Sequence, residues 1–312
     1  MKKIAFMFPG QGSQSVGMGK GIHDAFPSIQ ELYTKANEVI GKDLRGLMFD
    51  GPGETLTETE NAQPALLLSS IALFQLLEDA DVKPSMVIGH SLGEYSALVA
   101  AKSISIEDAL PLVATRGKLM EDAFPKGQGT MAAVLGLSEQ VIQEVVESIS
   151  DEIVDLANIN CPGQIVISGS ISGVEEASKL LKEKGAKRVI PLNVSGPFHS
   201  RLMKAANNDF ATSLEEVMIK DAEVPVYANV TAGPVSNKDE IKDLLLKQLY
   251  SPVRFEESIR NMMEAGVDAF VEVGNGKVLS GLVKKIDRNA TIFTVQDQES
   301  MNKFITWYRS EA

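Results

Sequence analysis

Short apolar runs along the chain alternate with longer stretches of helical periodicity. The first run, KIAFMF, is typical of a buried strand and leads into a glycine-rich loop, PGQGSQSVGMG. Helices are predicted near 28–40 and over 64–79, followed by a strand, SMVIG, and a tight turn that carries Ser91. Two further helices are predicted, from about 92 to 101 and over 105–123; a serine with two acidic residues behind it suits the start of the second.

After Pro125 the order of elements changes to strand, helix, strand, strand, helix, strand. This order is that of the ferredoxin-like split unit. We therefore expect a compact subdomain at 126–195, inserted into a larger domain that is formed by 1–125 and 196–312.

The last third of the chain returns to alternating strands and helices. The pattern predicts a long helix from about 198, strands at 224–230, 269–274 and 291–296, and helices at 239–249 and 255–266. Strands that alternate with helices favour a mostly parallel sheet with helices on both faces, so the predicted fold class is α/β.

Composition and charge limit the classes of partner. The 312 residues are 44% hydrophobic and 23% charged, as in ordinary globular proteins, and the net charge of −12 disfavours nucleic acid and anionic membranes. Cys161 is the one cysteine, which excludes an internal disulfide and suits a reducing compartment. The apolar run before Pro9 is too short for a signal peptide, and no run could span a bilayer. We expect a cytoplasmic protein.

Ser91 is the first candidate for chemistry. The stretch GHSLG matches G-x-S-x-G, in which a serine stands on a strained turn between strand and helix, and Gly89 and Gly93 let these two elements pack closely. The backbone N–H of Leu92, at the start of the helix, is placed to stabilise an oxyanion. A tight turn with a capping serine is the alternative, but the predicted strand and helix around the motif favour the nucleophile.

A nucleophilic serine needs a base, and the chain has three histidines. His90 adjoins Ser91, so its side chain leaves the turn in another direction, and His23 lies in a polar stretch that predicts a surface loop. His199, in VSGPFHSRLM, remains; the predicted helix would place it in the first turn, where the positive helix end lowers the pKa of an imidazole. The alternative is a histidine that only caps this helix.

Between Ser91 and His199, no acidic residue stands in a marked turn or at a strand end that would indicate a partner for His199. The helix predicted over 238–250 ends in LKQLYSP, and its last carbonyls lack a partner within the helix. One of them, near Gln248, can accept the Nδ1–H of His199 and fix its tautomer. The alternative is that Gln248 is a surface residue.

Arg116 falls within the apolar stripe of the helix over 105–123. A guanidinium on a buried face is costly unless an anion meets it. It either pairs with an internal acid or waits in a cleft for a substrate carboxylate, and the pattern does not separate the two.

Other motifs do not support nucleotide or metal sites. In the glycine-rich loop, Gly10 and Gly12 are followed by Ser15, where a dinucleotide loop needs a third glycine. In VEVGNGKVLS, Val271 and Val278 replace the glycine and the hydroxyl residue of a P-loop. No cluster of ligands suggests zinc or magnesium, so no metal is expected.

Several separated blocks carry a resemblance over nearly the full length. The blocks are FPGQGSQ, GHSLGEYSALVAA, ATRGKLM, NCPGQIVISG, GPFHS, QLYSPVRF and VEVGNGKVLSGL. With them the chain resembles the malonyl-CoA:acyl carrier protein transacylases of fatty-acid synthesis, whose members have a hydrolase-like, mostly parallel α/β body flanked by helices, with an inserted ferredoxin-like α+β subdomain.

The resemblance implies a ping-pong acyl transfer. Ser91 is acylated, His199 acts as its base and acid, and Arg116 binds the malonyl carboxylate. Malonyl-CoA is the substrate, CoA the product and the pantetheine thiol of acyl carrier protein the acceptor. No permanently bound cofactor and a monomeric enzyme are expected.

The resemblance also implies supporting residues. The N–H groups of Gln11 and Leu92 form the oxyanion hole, Gln248 orients His199, and Asn160 is a candidate substrate contact. One departure is Asn275, where the family has proline, and we expect it to affect loop stiffness more than chemistry.

Two other classes of function share part of this pattern. A serine esterase or thioesterase has the same serine and histidine but uses water and needs no anionic acyl group, so Arg116 distinguishes it. A non-catalytic module that docks carrier proteins does not need Ser91 and His199. A stand-alone acyltransferase of polyketide synthesis is chemically the same enzyme.

Overall fold

The computed structural model describes residues 2–310, which form ten strands in two sheets. The strands are β1 (Ile4–Phe8), β2 (Met86–Gly89), β3 (Gly129–Leu135), β4 (Val154–Cys161), β5 (Gln164–Ser170), β6 (Arg188–Pro191), β7 (Val226–Tyr227), β8 (Pro234–Val235), β9 (Ala269–Val273) and β10 (Ile292–Val295).

Fourteen helices pack around these sheets within the described residues. They are α1 (Lys20–Ala25), α2 (Pro27–Ile40), α3 (Leu44–Asp50), α4 (Gly53–Thr57), α5 (Thr59–Asp79), α6 (Gly93–Ala100), α7 (Ile106–Asp122), α8 (Glu139–Ser148), α9 (Ile171–Glu183), α10 (Asn207–Glu215), α11 (Lys238–Gln248), α12 (Phe255–Glu264), α13 (Val278–Ile286) and α14 (Gln298–Arg309), with a 3-10 helix at Arg201–Ala206.

The larger sheet has the order β10-β9-β1-β2-β7-β8, and every neighbouring pair is parallel except β7 with β8. Every residue of β1, β2 and β9 is buried, as expected for strands with helices on both faces. In the register of β1 with β2, Phe8 lies opposite Gly89, so both strands end at the same edge. The predicted α/β class with a mostly parallel sheet is confirmed.

The smaller sheet has the order β4-β5-β3-β6 with antiparallel neighbours throughout, which is the ferredoxin-like arrangement that the sequence predicted. Helices α8 and α9 cover it through a separate apolar core. Its elements run from Gly129 to Pro191, and we keep 126–195 as the proposed bounds of the inserted subdomain. The Ile159 N–H donates to the Val253 carbonyl at 2.9 Å, which ties β4 to the larger part of the fold.

The helix predicted from about 198 is wrong in its first part. Residues 197–200 form a turn, a 3-10 helix follows, and α10 begins only at Asn207. His199 has φ of 60°, in the left-handed region that an α-helix excludes. His23 is also misplaced by the sequence reasoning, since it lies on α1 with its ring against Tyr33 and Phe49 instead of in a surface loop.

No helix among the described residues combines the length and the apolar character that a membrane crossing needs. The longest, α5, owes its apolar sequence to a buried position in the fold.

Candidate active site

The turn between β2 and α6 holds Ser91 at φ of 53°, a backbone conformation that is rare and strained for residues other than glycine. Close packing below the turn explains its glycines. A Cβ on Gly89 would lie 1.7 Å from the backbone carbon of Gly93, and a Cβ on Gly93 would lie 2.0 Å from the Phe8 carbonyl oxygen. The strand and the helix can therefore approach each other only without side chains at these positions, and Ser91 is left at the top of the turn.

Asn229, which the sequence reasoning missed, holds this turn from below. Its Oδ1 accepts the Ser91 N–H at 2.8 Å, and its Nδ2 donates to the Gly89 carbonyl at 2.7 Å. The side chain is fully buried just after β7. A polar residue in the apolar stretch VPVYANV was the only sequence signal for it.

The structure brings His199 to Ser91 across a long sequence separation. Nε2 of His199 lies 2.8 Å from the Ser91 Oγ, and Nδ1 lies 2.9 Å from the backbone carbonyl oxygen of Gln248. The carbonyl can only accept, so the proton sits on Nδ1 and leaves Nε2 free to accept from the hydroxyl. This distance is within the reach of a general base. Gln248 is fully buried and is therefore not a surface residue.

The pKa of His199 is lowered to about 3, first by burial and next by the positive charge of Arg116. The histidine is 4% exposed. The positive helix end proposed from the sequence is not the cause, because the residue lies in a turn before a short 3-10 helix. The imidazole is consequently neutral at physiological pH, as a base must be.

Arg116 projects from α7 toward the same oxygen and is 1% exposed. Its Nη1 donates to the Gln63 Oε1 at 2.8 Å, and its Nη2 donates to the Gln248 Oε1 at 2.8 Å and to the Ser91 Oγ at 3.3 Å. Within residues 2–310 no carboxylate comes within 4.0 Å of the guanidinium, and the buried Nε has no partner. The geometry thus gives no support to a direct pair with an internal acid and leaves the guanidinium to meet an anion in the cleft.

A cavity of about 330 Å³ opens above these groups, between the larger sheet and the smaller one. Its size suits a small acyl group rather than a long chain. Phe198 lines it next to His199. Other residues that line it are Gln11, Gly12, Gln63, Leu92, Met120, Met131, Asn158 and Leu192.

Gln11 and Leu92 both line this cavity beside Ser91. In the described part of the chain, neither backbone N–H donates a hydrogen bond to another group. Both are therefore available for a developing oxyanion. Asn275, at the position of the family's proline, donates from Nδ2 to the Ser13 carbonyl at 2.6 Å, which anchors the loop that carries Gln11.

Asn160 is not among the residues that line the cavity. Its Oδ1 lies 2.8 Å from Nε2 of His90, which itself lines the cavity. Asn158 lines the cavity instead. The pairing of β4 with β5 shifts register on both sides of this segment, so the simple alternation of a strand does not tell which asparagine faces the cleft. This geometry does not support a substrate contact by Asn160.

Glu94 is a second buried polar residue that sequence reasoning missed. It is 3% exposed, and its Oε2 accepts from the Gln248 Nε2 at 2.8 Å and from the Asn229 N–H at 3.0 Å. Burial raises the pKa of this carboxyl to about 7. A sequence signal existed, because Glu94 is the one charged residue in the helix GEYSALVA.

Comparisons with known proteins identify the family of this chain. A family model described as the acyl transferase domain matches residues 5–300. The malonyl CoA-acyl carrier protein transacylase of Bacillus subtilis is 50% identical over 313 residues, which cover all of this chain and 99% of that protein. The chain belongs to the malonyl CoA-acyl carrier protein transacylase family. The transacylase of Staphylococcus aureus strain MRSA252 is 47% identical over 96% of this chain and 98% of its own.

Solved structures of the transacylase family agree over the whole fold. An acyl carrier protein S-malonyltransferase from Vibrio cholerae superposes with a TM-score of 0.95 at 42% identity and covers 97% of this chain and 100% of that one. A malonyl-transacylase in complex with a type II PKS acyl-carrier protein has a TM-score of 0.95 at 39% identity and covers 98% of this chain and 99% of that one. The resemblance stated from the sequence is thereby confirmed.

Proposed function

We propose that this protein moves a malonyl group from malonyl-CoA to the pantetheine thiol of acyl carrier protein, through a malonyl ester on Ser91, and so supplies fatty-acid synthesis. The observation that carries the proposal is that one oxygen, the Ser91 Oγ, lies 2.8 Å from the His199 base and 3.3 Å from the Arg116 guanidinium. In a malonyl thioester a single methylene separates the carboxylate from the carbonyl under attack. A cation so close to the nucleophile suits that short anionic acyl group.

The first half of the cycle forms the ester. Nε2 of His199 takes the hydroxyl proton as the Ser91 Oγ attacks the thioester carbonyl, and the N–H groups of Gln11 and Leu92 stabilise the oxyanion. Each such donor contributes about 3–4 kcal/mol in comparable sites. The tetrahedral intermediate collapses, the carbon–sulfur bond breaks, and the imidazolium returns its proton to the departing CoA thiolate.

The second half runs the same chemistry in reverse. The pantetheine thiol gives its proton to His199 and attacks the malonyl ester, and the Ser91 oxygen leaves and takes the proton back. Serine, imidazole, guanidinium and backbone N–H groups account for each step, so we propose that no cofactor is permanently bound. We further propose a monomer that acts in the cytoplasm, where a single cysteine stays reduced.

Intact mass spectrometry after mixing with malonyl-CoA tests the proposal. We expect one malonyl adduct on the protein, none on Ser91→Ala, and an unchanged adduct on Ser172→Ala, an exposed serine of the smaller sheet's α9. When holo acyl carrier protein is added, this protein should lose the adduct, and the mass of the carrier protein should increase by one malonyl group.

Two results would contradict the proposal. An adduct that survives Ser91→Ala would exclude this nucleophile. Release of free malonate without any thiol acceptor, at the rate of the transfer, would identify a thioesterase instead.

A further inference from the structure

Glu94 lies under the nucleophile turn, and the proposed mechanism gives it no role. It is a buried carboxylate on α6, held by the Gln248 side chain and the Asn229 N–H. A carboxyl group in such a place is costly unless a positive charge or enough hydrogen bonds compensate for it. Its position therefore requires an explanation that packing alone does not supply.

The side-chain amide of Gln248 connects this carboxylate to Arg116. Its Nε2 donates to the Glu94 Oε2 at 2.8 Å, and its Oε1 accepts from the Arg116 Nη2 at 2.8 Å. The amide dipole thus has its positive end on the anion and its negative end on the cation. The backbone carbonyl of the same glutamine holds His199.

We propose that Glu94 is the internal counter-charge of Arg116, linked to it through Gln248, and that the acyl carboxylate of the substrate competes with Glu94 for this arginine, so that substrate binding is coupled to proton uptake by Glu94. Glu94 is then a positioning residue, since it acts on the substrate through Arg116. This inference rests on the proposed function, because it requires an anionic acyl group at Arg116.

Among the ionisable groups around Glu94, Arg116 is the charged group that acts on its carboxylate. The buried side chains of α5 and the strands β1 and β2 include no ionisable group. β7 contributes Tyr227, α6 itself contributes Tyr95, and α7 contributes Arg116. His199, held by the same Gln248, has its pKa lowered to about 3 and carries no charge between pH 6 and 8. Burial is the main cause that raises the pKa of Glu94 to about 7, and the Arg116 field works against it. In the free protein this carboxyl group therefore exchanges its proton within the neutral pH range.

The direction of the coupling follows from the charges. A substrate carboxylate at Arg116 adds a negative charge that offsets the guanidinium field at Glu94, and this raises the pKa of Glu94 further. Protonated Glu94 favours binding and ionised Glu94 opposes it. We expect the affinity for an anionic acyl group to fall as the pH rises through 7.

Calorimetry on the Ser91→Ala protein, which cannot be acylated, tests this coupling without turnover. Malonyl-CoA is compared with acetyl-CoA at pH 6 and 8, because both carry the same nucleotide phosphates and only malonyl-CoA has the acyl carboxylate. With Glu94 present, we expect the ratio of the two affinities to fall about fivefold between pH 6 and 8. In the Ser91→Ala/Glu94→Gln protein, which keeps the hydrogen-bond acceptor without the charge, the ratio should be the same at both pH values.

A second readout needs no change at Glu94. Near pH 7, malonyl-CoA binding to Ser91→Ala should take up protons, measured from heats in buffers of different ionisation enthalpy, whereas acetyl-CoA binding should not. If Glu94 had only a structural role, replacing it would weaken the binding of malonyl-CoA and acetyl-CoA alike. The ratio of the two affinities would then not change with pH in either protein.

Two results overturn the inference. One is an affinity ratio that changes with pH equally in both proteins; the other is malonyl-CoA binding without proton uptake. If wild-type Ser91 takes no malonyl group and Ser91→Ala binds malonyl-CoA no better than acetyl-CoA, the proposed function itself fails.

Discussion

Arg116 shows how strongly the surroundings of a residue decide what it can do. The guanidinium is buried, has two glutamine side chains as acceptors and touches the face of Tyr95, with its central carbon 5.2 Å from the ring centroid. These neighbours hold a cation in place without neutralising it. Burial and, next, the same positive charge lower the pKa of His199 and keep its imidazole unprotonated, as the proposed base requires.

Arg116→Ala should lower the rate of Ser91 malonylation about a hundredfold, because a desolvated, charge-assisted contact to the acyl carboxylate is lost. Acetylation of Ser91 by acetyl-CoA should change much less, since the nucleophile, its base and the oxyanion donors remain. Intact mass spectrometry at short reaction times measures both rates.

Arg260→Ala is the matched control, because Arg260 is half exposed and pairs with Glu256 on its own helix α12. It should react like the wild type. A normal malonylation rate in Arg116→Ala would show that the arginine has another role.

At the scale of elements, the strand β2, the turn and the helix α6 form one unit whose shape depends on two glycines. The sequence reasoning predicted this unit almost to the residue, because an apolar run, a G-x-S-x-G turn and a second apolar run are strong local signals. It failed at the turn that carries His199. There His199 has a positive φ, which the predicted helix did not allow.

Gly93→Ala should destabilise the protein by several kcal/mol, because the new Cβ would lie 2.0 Å from the Phe8 carbonyl oxygen and β1 cannot move without disturbing the sheet. Ser91 should lose reactivity as well, since the turn above must shift. Urea unfolding and the malonylation rate measure the two effects.

Gly281→Ala is the control within a helix, because Gly281 lies on α13 and a Cβ there would meet no atom within 4 Å. It should be slightly stabilising, by about 0.5–1 kcal/mol. Equal effects of the two substitutions would contradict the close contact between β1 and α6.

At the scale of the whole molecule, the site joins segments that are far apart in the chain. The glycine-rich loop, the nucleophile turn, α7, the turn at His199 and the end of α11 meet at the edge where β1 and β2 end. Such a site includes buried ionisable groups, and these connect its chemistry to the stability of the entire fold.

The stability of wild type relative to Glu94→Gln should fall as the pH rises. The pKa of Glu94 is raised from 4.5 to about 7 in the folded protein, so the folded state keeps a proton that the unfolded chain has lost in this window. Its contribution is fully present below about pH 4.5 and is lost as the pH approaches 7, a change of roughly 3 kcal/mol. Thermal unfolding of both proteins at pH 5 and pH 8 measures the difference.

The contribution of His199 to stability depends on pH in the opposite direction, and it is the same in wild type and Glu94→Gln. Its pKa is lowered to about 3, so the unfolded chain binds the extra proton, and stability is lost as the pH falls from about 6.5 toward 3. Because this loss cancels in the comparison, a difference between wild type and Glu94→Gln that is independent of pH would show that Glu94 is not protonated in the fold.

The sequence by itself determined the α/β class and the order of the split unit and predicted Ser91 as the nucleophile, since these depend on local periodicity, turn residues and motifs. It also singled out His199 by elimination and Arg116 as a charge on an apolar face. It left open which group Arg116 contacts, because an apolar stripe on a helix predicts that this face is buried and does not predict what packs against it.

Only the tertiary structure decided the rest. It separated Asn158 from Asn160 through an irregular strand pairing, brought Asn229 and Glu94 beneath the nucleophile, and assigned both the carbonyl and the amide of Gln248. The physical reason is that hydrogen bonds and charges act over a few ångströms between segments far apart in the chain, such as Gln248 and Ser91, which are 157 residues apart, and no local pattern records such contacts.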